Sequence, residues 1–336
     1  MQKITIIVPA YNEEANLEAL YNALLPLIDG RMPRYTPESS DSELLNNYDW
    51  EVLMVNDGSS DRTLEIMARL HQRDPRFRYL NLSRNFGKEN AMLAGFDYAT
   101  GDAAVIIDAD LQHPVATIPE MVYWWEQGYE DVYGKRLSRG RESWLRRRLS
   151  MSYYKMLQRS TRVDILPNVG DFRLLDRRAL DALRRLRETQ RYTKGMYAWI
   201  GFRKKEVLYS NLERHGGHSS FNLRGLCNLA VEGITSYTTA PLRLASVIGL
   251  LSAAAAMLYA LYFLIKTIAV GDDVQGFPTL IIVILFLGGC QLLAIGIIGE
   301  YLGRIFNETK HRPCYIVDSL DGKPIDDNAP RHPKQA

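Results

Sequence analysis

Cysteine is scarce, three among 336 residues. Cys227, Cys290 and Cys314 stand far apart, so neither a disulfide framework nor a thiolate metal site with closely spaced ligands is expected. The opening "KITIIVPAYNEE" reads as a strand instead of a basic stretch followed by an apolar signal core, which predicts a reducing, cytosolic setting for the N-terminal part. No Gly-x-Gly-x-x-Gly follows the first apolar run and no Gly-x-x-x-x-Gly-Lys-Ser/Thr occurs, which argues against a dinucleotide fold and a phosphate loop. A dominant charge is lacking too: 41 Lys and Arg face 39 Asp and Glu, a net +2. With no recognisable binding module beside it, the local basic run at 135–148 does not point to nucleic acid.

The C-terminal third lacks charge over two long stretches. "LASVIGLLSAAAAMLYALYFLI", 244–265, and "TLIIVILFLGGCQLLAIGIIG", 279–299, are each about the length needed to cross a bilayer, so two spanning helices are expected within 242–302. The connector between them is short and net acidic, whereas Arg243 precedes the first span and Arg304, Lys310 and Arg312 follow the second. The positive-inside rule then puts both termini in the cytosol, in a multi-pass inner-membrane protein. Lys266 sits at a span's end, where it can snorkel to the interface. Gly288, Gly289, Gly296 and Gly299 give the second span small-residue faces suited to close helix contact.

In the remainder, apolar β-branched runs alternate with helical periodicity. Strands are expected at 4–8, from Glu51, at 76–85 and at "AAVIIDAD", with helices near 14–28, 61–73 and 87–99; a parallel α/β sheet follows. Residues 29–50 read as a long surface loop. Ligands bind such sheets beyond the carboxyl ends of the strands. Four of those ends carry polar groups: Tyr11, Asn12 and Glu13; Asp57, Gly58 and Ser59; Arg84, Asn85 and Lys88; and Asp108, Asp110 and Gln112.

The last group is the most suggestive. Asp108 and Asp110 flank Ala109, and in an extended tip both carboxylates can enter one crevice with Gln112 beside them, a hard-oxygen set suited to Mg²⁺ or Mn²⁺ on a diphosphate. An isolated Asp-x-Asp is more often a cap or turn, and His113, before Pro114, reads as a turn residue. Downstream, "YGKRLSRGRESWLRRRLS" concentrates Lys135, Arg136, Arg139 and Arg141 with Arg146, Arg147 and Arg148; it is either a solvated face or a surface for anionic headgroups or a lipid phosphate. In "NVGDFRLLDRRAL" Asp176 fits an N-cap, while Asp171 reads equally as a site acid or a turn residue. Residues 222–241, with Arg224, Leu223, Leu226 and Leu229, suit helices lying in the membrane interface.

Taken in order, "VPAYNEE", "VNDGSSD", "NFGKENAMLAGFDYATGD", "DADLQHP", "GKR", "GDFRL" and "GIIGEYLGRIFNETKHRPCYIV" resemble the family 2 glycosyltransferases. The resemblance extends to the polyprenyl-phosphate glycosyltransferases related to dolichol-phosphate mannose synthase and bactoprenol glucosyltransferase, and it covers nearly the whole chain. It implies a GT-A type nucleotide-sugar-binding α/β domain at 1–221, juxtamembrane amphipathic helices at 222–241, a two-helix transmembrane hairpin at 242–302 and a cytosolic tail at 303–336. By the same resemblance Pro9, Tyr11, Glu13, Val55 and Asp57 would hold the nucleoside, and Asp108, Ala109, Asp110, Arg136 and Arg214 the rest of the donor. Asp108, Asp110 and Gln112 would bind Mg²⁺ or Mn²⁺. Arg136, Arg141, Arg173 and Lys194 would meet the lipid phosphate, and Asp171, Asp110 and Arg136 would serve catalysis. Relatives carry Arg-x-x-Gly-x-Ser-Lys before the interface helix, where "RHGGHSS" has Ser220 in place of the lysine. The partners implied are a nucleotide sugar, a polyprenyl phosphate, the bilayer and further copies of the chain in a homotetramer.

The expected activity is inverting, metal-dependent transfer of one sugar, glucose from UDP-glucose, to undecaprenyl phosphate at the cytosolic face. Another sugar (aminoarabinose-type, GalNAc or mannose) and a non-catalytic nucleotide-sugar-binding scaffold are the alternatives. A processive synthase is disfavoured, since Gln-x-x-Arg-Trp is absent and two spans cannot enclose a channel.

Overall fold

The computed structural model describes residues 1–37, 43–137, 169–189, 191–210, 240–270 and 276–325. These form two compact units: a sheet with its flanking helices, which the chain leaves after β7 and rejoins at Pro313, and a pair of long helices. The first unit begins with β1 (Gln2–Ala10), α1 (Leu17–Ile28), β2 (Tyr48–Asn56), α2 (Thr63–Arg73), β3 (Phe77–Leu82), α3 (Lys88–Tyr98) and β4 (Ala103–Ile106). Then come α4 (Ile118–Glu126), β5 (Asp131–Arg136), β6 (Val169–Asp176), α5 (Arg177–Arg185), α6 (Thr193–Trp199) and β7 (Lys204–Tyr209), and after the second unit β8 (Val317–Leu320) and β9 (Lys323–Pro324).

All the strands among the described residues join one sheet in the order β7-β5-β6-β4-β1-β2-β3-β8-β9. β1 is buried along seven successive residues because both faces of the sheet are covered, which is why it reads as an unbroken apolar run. Successive side chains point to opposite faces: Ile4, Ile6 and Val8 enter one core with residues of α1, α2 and α4, while Ile7 enters the other with residues of α3 and α5. The expected parallel arrangement holds for β3, β2, β1 and β4. It fails beyond them, since β6 runs antiparallel to β4 and β5, and β8 antiparallel to β3, giving a mixed sheet. Asp176 ends β6 and caps α5, accepting from the Arg178 N–H at 2.8 Å and from Trp125 Nε1 at 2.8 Å.

Two stretches differ from expectation. The 29–50 loop closes on itself through a Pro33–Leu44 bridge, and its last residues already belong to β2. The segment after the second long helix, expected as a tail, supplies β8 to the edge of β3. Asp321 holds it there by accepting from the Tyr79 N–H and Arg78 Nε, each at 2.9 Å. Tyr315 Oη donates to Asp97 of α3 at 2.5 Å in the same unit.

The second unit contains α7 (Ala240–Val270) and α8 (Phe277–Thr309), which pack against each other, with Ser252 Oγ 3.8 Å from Cys290 Sγ. Among the described residues one stretch, Phe286–Thr309, is long and apolar enough to cross a membrane; the apolar stretch of α7, Ala245–Tyr259, is shorter. The expected interface helices, with Arg141, Arg214 and Ser220, lie outside the described residues.

Candidate active site

The tips of β1 and β2 are stitched together. Pro9 lies in register with Val55. The Asn12 N–H donates to Ser59 Oγ at 3.0 Å, Asn12 Oδ1 accepts from the Ser60 N–H at 2.8 Å, and the Glu13 N–H donates to Thr63 Oγ1 at 2.9 Å. Gly58 makes the turn possible: its φ is +63°, and a Cβ there would fall 2.3 Å from the Arg84 carbonyl carbon. Tyr11 is left half-exposed on the rim, free to pack on a flat ligand. Asp57 is 3% exposed, and its carboxylate accepts from the Phe86 N–H at 2.7 Å and the Gly87 N–H at 2.9 Å, so it ties β2 to the loop entering α3. Burial pushes its pKa up, against the pull of those bonds and of Arg84. Val55 is buried completely in the core, which leaves it a packing part instead of a side-chain contact with a nucleoside.

At the fourth tip a turn and a cluster of polar groups coincide. Asp110 Oδ1 accepts from the Gln112 N–H at 3.2 Å, and Leu111 between them has φ +60°, a left-handed conformation that costs a side-chain-bearing residue about 1–2 kcal/mol. Ala109 is buried beneath. His113 is only 1% exposed: its Nδ1 accepts from the Asp108 N–H at 3.2 Å, which places the ring proton on Nε2, and burial keeps the ring neutral by lowering its pKa. Its ring stacks on Phe172 with centroids 4.8 Å apart.

Between the third and fourth tips stands one ammonium. Lys88 opens α3, and its Nζ lies 2.7 Å from Asp108 Oδ1 and 2.9 Å from Asp171 Oδ2. Its stem stays accessible. Desolvation disfavours the charge at its tip, but the two carboxylates outweigh that and raise its pKa, so the ammonium stays protonated throughout the physiological range. Asp171 mirrors it: burial pushes the acid up, yet Lys88, Lys194 and Arg173 hold its pKa low, as a carboxylate. Its second oxygen, Oδ1, is buried without a hydrogen-bond partner. Next to Lys88, Glu89 accepts from the N–H and hydroxyl of Thr193 at the start of α6; burial, with Asp171 nearby, raises its pKa to about 7.

The other expected residues divide. Arg136, at the end of β5, donates from Nε to Tyr209 Oη at 3.1 Å, and its charge reaches the same tyrosine as those of Asp108 and Asp110, so it belongs to the cluster. Lys194 acts on Asp171 from α6. Arg173, expected at a lipid phosphate, is 3% exposed; it pairs with the fully buried Asp131 at 3.0 Å and lies over the Tyr197 ring at 3.4 Å, while its charge also acts on Asp171. Among the described residues no three His, Cys, Asp or Glu side chains are grouped to hold a metal by themselves.

Sequence reasoning named Lys88 at a tip without giving it a role, and it missed Glu89 altogether. A Lys-Glu pair opening a helix looks like ordinary surface charge; only the fold brings Asp108 and Asp171, remote in sequence, to either side of the lysine.

A mixed α/β sheet with acids and bases gathered at its strand ends matches a sugar-transferring class, and the chain belongs to it: the profile of glycosyl transferase family 2 matches residues 5–184. The protein is therefore a glycosyltransferase with a GT-A-like fold. A second profile, the GtrB C-terminal hairpin, matches residues 240–305. Among relatives, an uncharacterized glycosyltransferase of Synechocystis sp. is 42% identical, over 95% of this chain and 96% of that one. The bactoprenol glucosyl transferase of Shigella phage SfV is 40% identical (94% and 98%), and the prophage bactoprenol glucosyl transferase homolog of Escherichia coli K12 is 39% identical (94% and 98%).

Proposed function

We propose that the protein transfers one glucose from UDP-glucose to undecaprenyl phosphate at the cytosolic face of the membrane, with inversion at the anomeric carbon. The observation that carries this reading is the likeness of the whole chain, sheet unit and helical hairpin together, to proteins named bactoprenol glucosyl transferase. Both long helices cross the bilayer in this reading, α7 through its apolar middle and α8 through the stretch from Phe286.

A lipid phosphate oxygen is already anionic near neutral pH and needs no strong base. It attacks the anomeric carbon as the bond from that carbon to the UDP phosphate breaks, and the electron pair leaves with UDP. Tyr11 packs on the base, with Pro9 and Glu13 beside it. Arg136 and Lys88 face the negative charge that develops on the leaving diphosphate, where fixed cations lower the barrier without reorganising. Asp171 orients the acceptor or the sugar from β6. Asp108, Asp110 and Gln112 offer hard oxygen donors that suit Mg²⁺ or Mn²⁺ once donor phosphate oxygens complete the set, and Asp171 carries a buried Oδ1 without a hydrogen-bond partner. Bound there, the ion would neutralise diphosphate charge.

The test incubates purified protein and Mn²⁺ or Mg²⁺ with UDP- and GDP-sugars and short polyprenyl phosphates, following lipid-linked sugar. Glucosyl lipid from UDP-glucose, lost in Asp110→Ala while the fold persists, is the expected result. Nucleotide binding without product from any donor would replace the reading with that of a scaffold.

A further inference from the structure

Three rings lie under the site on one face of the sheet. His113 stacks on Phe172 at an interplanar angle of 7°, and Tyr209 meets both edge-on, with centroids 5.8 Å from His113 and 5.3 Å from Phe172. All three are almost fully buried. Each is one link from a group with chemistry to perform. His113 Nδ1 accepts from the Asp108 N–H, Tyr209 Oη accepts from Arg136 Nε, and Phe172 follows Asp171 in β6, where alternation turns the acid to the opposite face.

The sequence makes room for this stack. Gly134, whose place in "YGKR" has no charge or turn to explain it, sits against the two larger rings. A Cβ there would fall 2.8 Å from Phe172 Cδ1 and 2.8 Å from Tyr209 Cε1, closer than carbon atoms approach. Glycine at 134 thus lets rings from β6 and β7 close over β5 onto the histidine of the fourth tip. None of the three rings is placed to touch a substrate. Their connections converge on the phosphate-facing groups: the backbone of the Asp-x-Asp turn and the guanidinium at the end of β5.

We infer that His113, Phe172 and Tyr209 form a positioning stack that holds Asp108 and Arg136 at a fixed separation to receive a diphosphate or phosphate. His113 and Tyr209 are positioning residues that act through Asp108 and Arg136. The inference rests on the proposed function for the identity of the phosphate ligands. It does not depend on which of them Arg136 meets.

Four substitutions separate positioning from mere packing. Tyr209→Phe keeps the ring and frees Arg136. His113→Phe keeps a stacked ring and removes the acceptor for the Asp108 N–H, while His113→Asn restores an acceptor near that place. Each variant is measured for UDP affinity in the presence of Mn²⁺ by calorimetry, for KM towards UDP-glucose and polyprenyl phosphate, and for Tm. Tyr209→Phe should raise one of the two KM values about tenfold, the scale of one lost charge-assisted hydrogen bond, with Tm little changed. His113→Phe should weaken UDP binding, and His113→Asn should recover part of it. Gly134→Ala, which removes no polar atom, should reproduce the KM defect by displacing the rings. Unchanged KM values and UDP affinity in Tyr209→Phe and His113→Phe would overturn the inference, as would activity that falls only in proportion to the folded fraction. The UDP measurement reads the stack even if no lipid-linked product forms, so failure of the proposed function is told apart from failure of the stack.

Discussion

Lys88 is one positive charge between two acids that the chain brings from different strands. Replacing it by Met leaves Asp108 and Asp171 facing each other in a poorly solvated place. Turnover should fall about 100-fold, the usual effect of removing a fixed group that stabilises developing charge. The sign of the pH effect follows from the acid. Without Lys88 the burial that pushes Asp171 up is opposed only by Lys194 and Arg173, so its folded-state pKa moves upward and the folded protein holds its proton to higher pH than the native protein does. Relative to the native protein, Lys88→Met should therefore be less destabilised at pH 5 than at pH 8 in urea unfolding. Glu51 is the opposite case. Burial pushes it up, but Lys3, Thr5 and Thr100 outweigh burial and hold its pKa below the ordinary 4.5, with Thr5 Oγ1 and Thr100 Oγ1 each donating at 2.7 Å. Its contribution is complete above about pH 4.5 and is lost as pH falls through its folded-state value. Glu51→Gln should cost about 2–3 kcal/mol at pH 7 and flatten the acid limb of a stability-against-pH curve.

At the scale of elements, the turn after β2 depends on a backbone no side chain suits. Gly58→Ala meets both the positive φ and the Arg84 backbone. It should lower stability by about 2–4 kcal/mol in thermal melts and loosen the Asp57 contacts with the α3 entry. What the sequence disclosed was the local pattern: β1 and β2 as apolar runs ending in polar tips, α1 to α3 by periodicity, and Asp176 as a cap. Contacts between residues far apart in the chain were not legible. The bonds from Asn12 to Ser59 and Ser60 merge two motifs into one platform, and nothing local reveals that Asp131 waits beside Arg173 inside the sheet. The antiparallel β6 escaped for the same reason, since an apolar run is alike in either direction. His113 reads locally as a turn residue before Pro114; nothing in the sequence shows that its ring lies buried on Phe172 and holds the Asp108 backbone.

For the molecule as a whole, the sheet is not contiguous in sequence. β8 reaches β3 only after the chain has passed through α7 and α8, and Asp321 and Tyr315 fasten it to β3 and α3. Removing residues 313–336 should expose the outer edge of β3, an invitation to edge-to-edge pairing. Aggregation after detergent extraction and faster proteolysis of the sheet unit are the expected readouts; a monodisperse truncated protein with native protease resistance would refute it.

The late arrival of β8 also sets an order in time. A polypeptide is made from its N-terminus, so β3 emerges early and waits, one flank bare, while both long helices are synthesised. The sheet can be finished only after those helices have left the ribosome. An enzyme built in this order completes its sheet only when both apolar helices have already been made, so its own chain ties completion of the sheet to synthesis of the helical hairpin.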